Sequence, residues 1–344
     1  MRSALVLLLL SFASFPLSAQ QVNDGPANEK AQKTYKEALE YLHRRAMGAA
    51  LDDFKKADKQ DDGHCRACQR QMIKYGMELR DWKTAELAAQ ERTEAAQGNQ
   101  DLALAHYDFG LVLMNEALEK KKDDLFVRVH DEMTKAVAAY ANFSAPIFID
   151  GQALAHLNRA DEAKAEFERY VKMTKPENLG RRRALRFISE PELALARMAP
   201  PFEIVATNGQ RVSLDDLPGK VVLVDFWATW CGPCREALPH MREIAKKFQD
   251  QPLVVISISL DDDEQKWKDF IDKNGMTWLQ YHDVGGFKGS IARAFGVEAI
   301  PHTFTIDADG VLQDERIGDA SIEGKLKKLL ARARELQVAQ GISQ

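Results

Sequence analysis

The spacing of apolar residues divides the chain into two stretches with different periods. From about residue 30 to residue 175, alanines and aromatics recur at helical spacing, and proline is almost absent. Beyond residue 200 the apolar residues come in short runs of strand formers separated by turn residues. The run Val221–Trp227 is apolar at both alternating sets of positions, with Asp225 as its only charge, and reads as a strand buried on both faces. Around it the pattern predicts strands over 202–205, 211–213, 253–259, 277–281, 302–306 and 311–318. Helices are expected over 233–248, 264–273, 288–295 and 322–336, with Pro239 kinking the first. The fold class is therefore an all-α array followed by an α/β domain with helices on both faces of its sheet.

Within the helical stretch, large and small residues repeat. Tyr41, Ala50, Phe54 and Ala57 occupy large and small packing positions, and Trp82 with Ala85 returns at nearly the same phase, Ala85 lying 35 residues after Ala50. Gly151, Leu154, Ala163 and Phe167 form a further copy closed by Pro176. Gly110, Ala136 and Tyr140 suggest one more with longer helices, interrupted by the charged run 119–124. This pattern resembles the tetratricopeptide (TPR) repeat family and implies four helical hairpins over residues 30–178, one of them irregular. Such a stack curves and leaves a concave face suited to a peptide or protein partner. The alternative is an array that only spaces or orients the domain after it. Residues 179–199 read as a structured linker, with Arg181, Arg182 and Arg183 as a solvated face and Pro191 interrupting a helix.

The strand at 221–227 runs without a breaker into Trp230-Cys231-Gly232-Pro233-Cys234 and then into a helical pattern. That places a CxxC pair at a helix N-terminus, where unpaired N–H groups and the helix dipole favour a thiolate on the first cysteine. The second, one turn on, lies close enough to attack a mixed disulfide formed by the first. The pentapeptide WCGPC resembles the active site of the thioredoxin superfamily. The segment 296–307, with Ile300-Pro301, resembles the superfamily's cis-proline segment. The layout over 200–338 is most similar to the extracytoplasmic TlpA/ResA branch. The resemblance implies a thiol-disulfide oxidoreductase in which Cys231 attacks, Cys234 resolves and Asp225 is a buried proton acceptor. Trp230, Gly232, Pro233, Ile300 and Pro301 would contact a polypeptide substrate, with Trp230, Ile300 and Pro301 as an apolar rim. No metal or cofactor is implied beyond the Cys231–Cys234 disulfide. The Gly-Pro dipeptide resembles reducing members and implies a reductase.

Three positions depart from that family's patterns. Ala237 stands where haem-maturation members have glutamate, Ser257 where ordinary thioredoxins have a strand lysine, and His302 where threonine is frequent. His302 is expected either to tune substrate contact or to lie at the surface. A peroxidase reading needs a threonine three residues before the cysteine, and Thr229 is only two before Cys231.

Length, charge and cysteine usage narrow the setting. At 344 residues there is room for about two domains, and a net charge of −5 gives no general attraction to nucleic acid. A basic start at Arg2, a leucine-rich core and a small-residue end read as a signal peptide over residues 1–19 cleaved after Ala19, hence a periplasmic or secreted protein. Reduction there would need electrons from a membrane donor, and the substrates would be protein disulfides. A second pair, Cys65 and Cys68, follows His64 in the helical stretch. Gln69 instead of histidine excludes covalent haem, and no zinc ligand set is near. It reads as a local disulfide, two packed thiols or a redox partner for WCGPC. The competing reading of the whole is a TPR scaffold or adaptor with a redox-sensing appendage.

Overall fold

The computed structural model describes residues 24–44, 46–318 and 322–339; the expected signal peptide lies outside the described residues. The chain parts into two units, one comprising residues 24–176 with 184–195 and the other 177–183 with 196–339. The linker expected at 179–199 is thus divided between them.

The first unit is built from four consecutive helix pairs: α1 (Glu29–His43) with α2 (Met47–Gln60), α3 (Arg66–Leu79) with α4 (Trp82–Glu94), α5 (Gly98–Lys120) with α6 (Asp123–Ala139), and α7 (Ala145–His156) with α8 (Ala160–Met173). Polar caps start several of them, as where the Asn28 side chain accepts the Lys30 N–H at 2.9 Å and Asp81 accepts the Thr84 N–H at 3.2 Å. The third pair is the irregular one, α5 running for 23 residues and ending at Lys121 in the left-handed region, inside the charged run. Small residues let paired helices approach while aromatics fill the space beside them. Gly76 faces Ala85, Gly151 faces the Phe167 ring, and Phe148 packs on Phe167, Tyr170 and Phe187. Tyr41 does not take the packing role expected of it. It is 37% exposed, and Tyr35, one and a half turns earlier, lies on Phe54 instead.

Helix α9 (Leu179–Ser189) stops before Pro191, which opens a 3₁₀ turn, Pro191–Leu195. The arginine triplet is not a uniformly solvated face. Arg183 is buried, donating to Asp215 at 2.9 Å and to the Ala199 carbonyl at 2.6 Å, so its charge is matched inside the second unit.

In the second unit a short hairpin, β1 (Glu203–Val205) and β2 (Arg211–Ser213), precedes a five-stranded sheet. Its strands are β3 (Val221–Trp227), β4 (Leu253–Ser259), β5 (Leu279–His282), β6 (His302–Ile306) and β7 (Leu312–Ile317), in the order β5-β4-β3-β6-β7. The central β3 pairs in parallel with β4 and antiparallel with β6. Every residue of β3 is buried. Val222, Val224 and Phe226 enter a core with Ile256, Phe295 and Phe304, while Val221 and Leu223 meet Met241, Ile244, Leu326 and Leu330 from α10 (Gly232–Lys247) and α13 (Glu323–Ala339). Period two therefore puts Asp225 on the α10 side. The helix expected at 288–295 is shorter: Lys288 belongs to a 3₁₀ turn, Gly286–Lys288, and Gly289, with φ −57° and ψ 157°, caps a five-residue helix α12 (Ser290–Ala294).

Gly151→Ala would bring a Cβ to 2.7 Å of the Phe167 ring. It is expected to destabilise the helical unit by about 1–3 kcal/mol in thermal unfolding. Gly48→Ala, in α2 with nothing within 4 Å, should be neutral or stabilising by up to about 1 kcal/mol.

Candidate active site

The turn from β3 into α10 carries the first CxxC pair, and it is held from below. Asp261 accepts the Thr229 N–H at 3.1 and 3.0 Å and the Thr229 hydroxyl at 2.6 Å, while Ser259 donates to its other oxygen at 2.7 Å. The Leu260 N–H reaches the Trp227 carbonyl at 2.9 Å, so β4 and the residues after it fix the end of β3. Helix α10 then starts with Cys231 as its N-cap and proline in its first turn, where a missing N–H costs nothing.

Cys231 and Cys234 are joined by a disulfide with Cα atoms 5.2 Å apart, and the Cys231 sulfur accepts the Cys234 N–H at 3.2 Å. That sulfur occupies the place where a helix N-terminus best supports negative charge. The Ile300–Pro301 peptide is cis, and the Ile300 carbonyl lies 3.8 Å from the Cys231 sulfur. Trp230 is 54% exposed beside the pair, with the Phe287 ring 6.5 Å away. Ile300 and Gly232 are half-buried and Pro233 is exposed. Pro301 is not on an exposed rim with Trp230 and Ile300. It is buried and lines a cavity behind the disulfide.

That cavity, of about 10 Å³, is lined by Asp225, Trp227, Cys234, Ala237, Met276 and Pro301 among others. It is the size of a single water, with the Asp225 carboxyl on its otherwise largely apolar wall. Burial pushes the Asp225 carboxyl up from 3.8 to about 7, opposed by a hydrogen bond from Ser257. Ser257 stands directly across the strand pair from Asp225 and donates to it at 3.2 Å; its own oxygen accepts the Trp278 indole N–H at 2.8 Å. The indole thereby fixes the direction of the serine proton. Ala237 presents only a methyl group to the same cavity, so no second carboxyl shares it.

His302 is neither a substrate contact nor a surface residue. Opposite Phe226 in the β3–β6 pair, it points to the face of the sheet away from Asp225. There it is 2% exposed, stacked on Phe304, with Nε2 3.2 Å from Glu315. Asp261, Trp278 and Met276 have parts in the site that the sequence pattern did not single out. Asp261 belongs to an acidic run after β4 that reads as a loop, Trp278 falls in the strand expected at 277–281 with no signal for its partner, and Met276 precedes that strand. Only the fold brings them to the pair.

The profile described as "AhpC/TSA family" matches residues 195–315. The chain is 31% identical over 146 residues to the thiol-disulfide oxidoreductase ResA of Bacillus anthracis, covering 42% of this chain and 83% of that relative. It is 32% identical over 136 residues to the thioredoxin-like protein YneN of Bacillus subtilis, covering 39% and 77% respectively. Among solved structures, the thioredoxin domain of a thiol-disulfide oxidoreductase from Bacteroides vulgatus is 26% identical and covers 39% of this chain and 95% of its own, with a TM-score of 0.36.

Because the folded-state pKa of Asp225 lies above its ordinary value, its burial is costless below about pH 3.8 and increasingly destabilising as pH rises to about 7. Asp225→Asn should therefore be the more stable protein at pH 8, by up to roughly 4 kcal/mol, with the advantage vanishing toward pH 4 in denaturant titrations. Ser257→Ala removes the interaction that lowers this pKa and should shift the Asp225 titration further upward.

Proposed function

The chain belongs to the thiol-disulfide oxidoreductases of the ResA type, and from that premise we propose that it reduces protein disulfides through Cys231 and Cys234, with Asp225 exchanging the proton. The observation that carries this reading is the small cavity shared by Cys234 and Asp225 behind a cysteine pair that starts a helix.

In the reduced protein the Cys231 thiolate, supported by the helix N-terminus and the Cys234 N–H, attacks a substrate disulfide and releases one substrate thiolate. Cys234 must then lose its proton to attack the mixed disulfide. A carboxyl that titrates near 7 is suited to accept that proton directly or through one water in the cavity, and to return it in the reverse direction. The products are a substrate dithiol and the Cys231–Cys234 disulfide. Trp230 and Ile300, at the mouth, give an extended polypeptide an apolar surface beside the sulfur, with Gly232 and Pro233 keeping the approach free of bulky side chains.

The direction of electron flow rests on the Gly-Pro dipeptide between the cysteines, which favours reduction. The leucine-rich N-terminal sequence supports an extracytoplasmic location, where a membrane donor would re-reduce the pair. The four helix pairs, with their TPR-like spacing of small and aromatic residues, support a partner-binding role for the first unit.

Cys231→Ser should abolish insulin disulfide reduction, and Cys234→Ser should accumulate a mixed disulfide detectable by non-reducing electrophoresis. Normal turnover in either variant would overturn the assignment. A reductase predicts a potential for the pair near the thioredoxin value of about −270 mV, whereas a value near about −120 mV would make it an oxidant.

A further inference from the structure

The helical unit contains a cysteine pair that the reaction above does not use, and its surroundings repeat those of the first. Cys65 is the N-cap of α3 and accepts the Cys68 N–H at 3.1 Å, as Cys231 accepts the Cys234 N–H at 3.2 Å. Each pair is a disulfide with Cα atoms 5.2 Å apart. Each also has a buried carboxyl beside it. Here it is Asp58, in the last turn of α2, which interacts with the Cys65 N–H and the Gln69 side chain while its Oδ1 has no hydrogen-bond partner. Burial, reinforced by Glu91, raises the Asp58 pKa to about 6.

A purely mechanical role accounts poorly for this arrangement. A cross-link between residues three apart removes little freedom from the unfolded chain, since the effect grows with loop length. Nor does a cross-link need a buried carboxyl with an unsatisfied oxygen, which is itself destabilising.

We propose that Cys65–Cys68 is a second redox couple that takes two electrons from a dithiol, with Asp58 supplying a proton. One thiolate of the dithiol attacks the Cys65 sulfur, the Cys65–Cys68 bond breaks, and Cys68 leaves as a thiolate that takes the Asp58 proton. The second thiol of the dithiol loses its proton to solvent and attacks the dithiol's own sulfur in the mixed disulfide, releasing Cys65 as a thiolate that takes a proton from solvent. The dithiol becomes a disulfide, both cysteines are reduced, and Asp58 is reprotonated from solvent. Two electrons and two protons have moved.

Access to the sulfurs requires one segment to move. Both cysteines are fully buried, and residues 24–28 cross the turn that holds them: the Asp24 carbonyl accepts the Ala67 N–H at 2.8 Å, between the two cysteines. Asp61 Oδ1 accepts the Ala27 and Asn28 N–H groups at 2.9 and 2.8 Å, and Arg70 pairs with Asp24 at 3.0 Å. These are contacts of a short, partly exposed segment, which can open without unfolding the helices.

The test uses the full chain carrying Cys231→Ser and Cys234→Ser, so that only this pair can react and the outcome is independent of the first site. Incubation with dithiothreitol in native buffer, with thiols counted by maleimide mass addition, should yield two thiols per chain with helical circular dichroism retained. Transfer to oxidised dithiothreitol should restore the disulfide. Asp58→Asn in this background should slow reduction about tenfold or more, and Asp58→Glu, which keeps the carboxyl, should recover most of the rate. Thiols that appear only in denaturant, or an unchanged rate in Asp58→Asn with native helix content, would overturn the proposal.

Discussion

The turn that carries Cys231 into α10 is anchored by one buried carboxyl group, that of Asp261. A helix N-terminus can favour a thiolate only if it is held still relative to the sheet, and the turn between β3 and α10 has few contacts of its own. Asp261 closes that gap by gripping the Thr229 N–H and hydroxyl from the adjoining strand end, with Ser259 satisfying its second oxygen. A carboxyl group bonded on both oxygens is held in one orientation, so it acts as a rigid bracket. Asp225, six positions before Cys231 and without a comparable set of donors, is the opposite case. Its single hydrogen bond from Ser257 cannot offset burial, and its carboxyl is left to titrate near neutrality. Two acids in one unit thus serve opposite ends because of how many donors each is given.

Much of this was legible in the chain because it is local. The run Val221–Trp227 announces a strand buried on both faces, and the cysteine pair followed at once by a helical pattern fixes the N-cap placement. Alternation along β3 also puts Asp225 on a single face. What the pattern could not show depends on register between strands distant in sequence. Ser257 meets Asp225 only because β4 pairs with β3 in that alignment, and Trp278 reaches Ser257 only through the β4–β5 pairing. His302 illustrates the same limit: a position next to a catalytic-looking proline suggested substrate contact, but strand alternation turns it to the other face. Gly289 likewise interrupts, at its non-helical ψ of 157°, an apolar spacing that reads as a longer helix.

The helical unit was legible for a different reason. Its contacts lie mostly between neighbouring helices, so spacing of small and large residues carries nearly all the information. The exceptions are substitutions of one aromatic for another at the same layer, as with Tyr35 in place of Tyr41, which helical periodicity alone does not resolve when both lie a few residues from the packing seam.

Both disulfides in the chain link neighbours on a single helical turn, and so neither ties remote parts of the polypeptide together. Joining or parting the sulfurs closes or opens only a small local ring. No disulfide joins distant elements of the fold, so oxidising or reducing either pair leaves the chain's long-range connectivity unaltered.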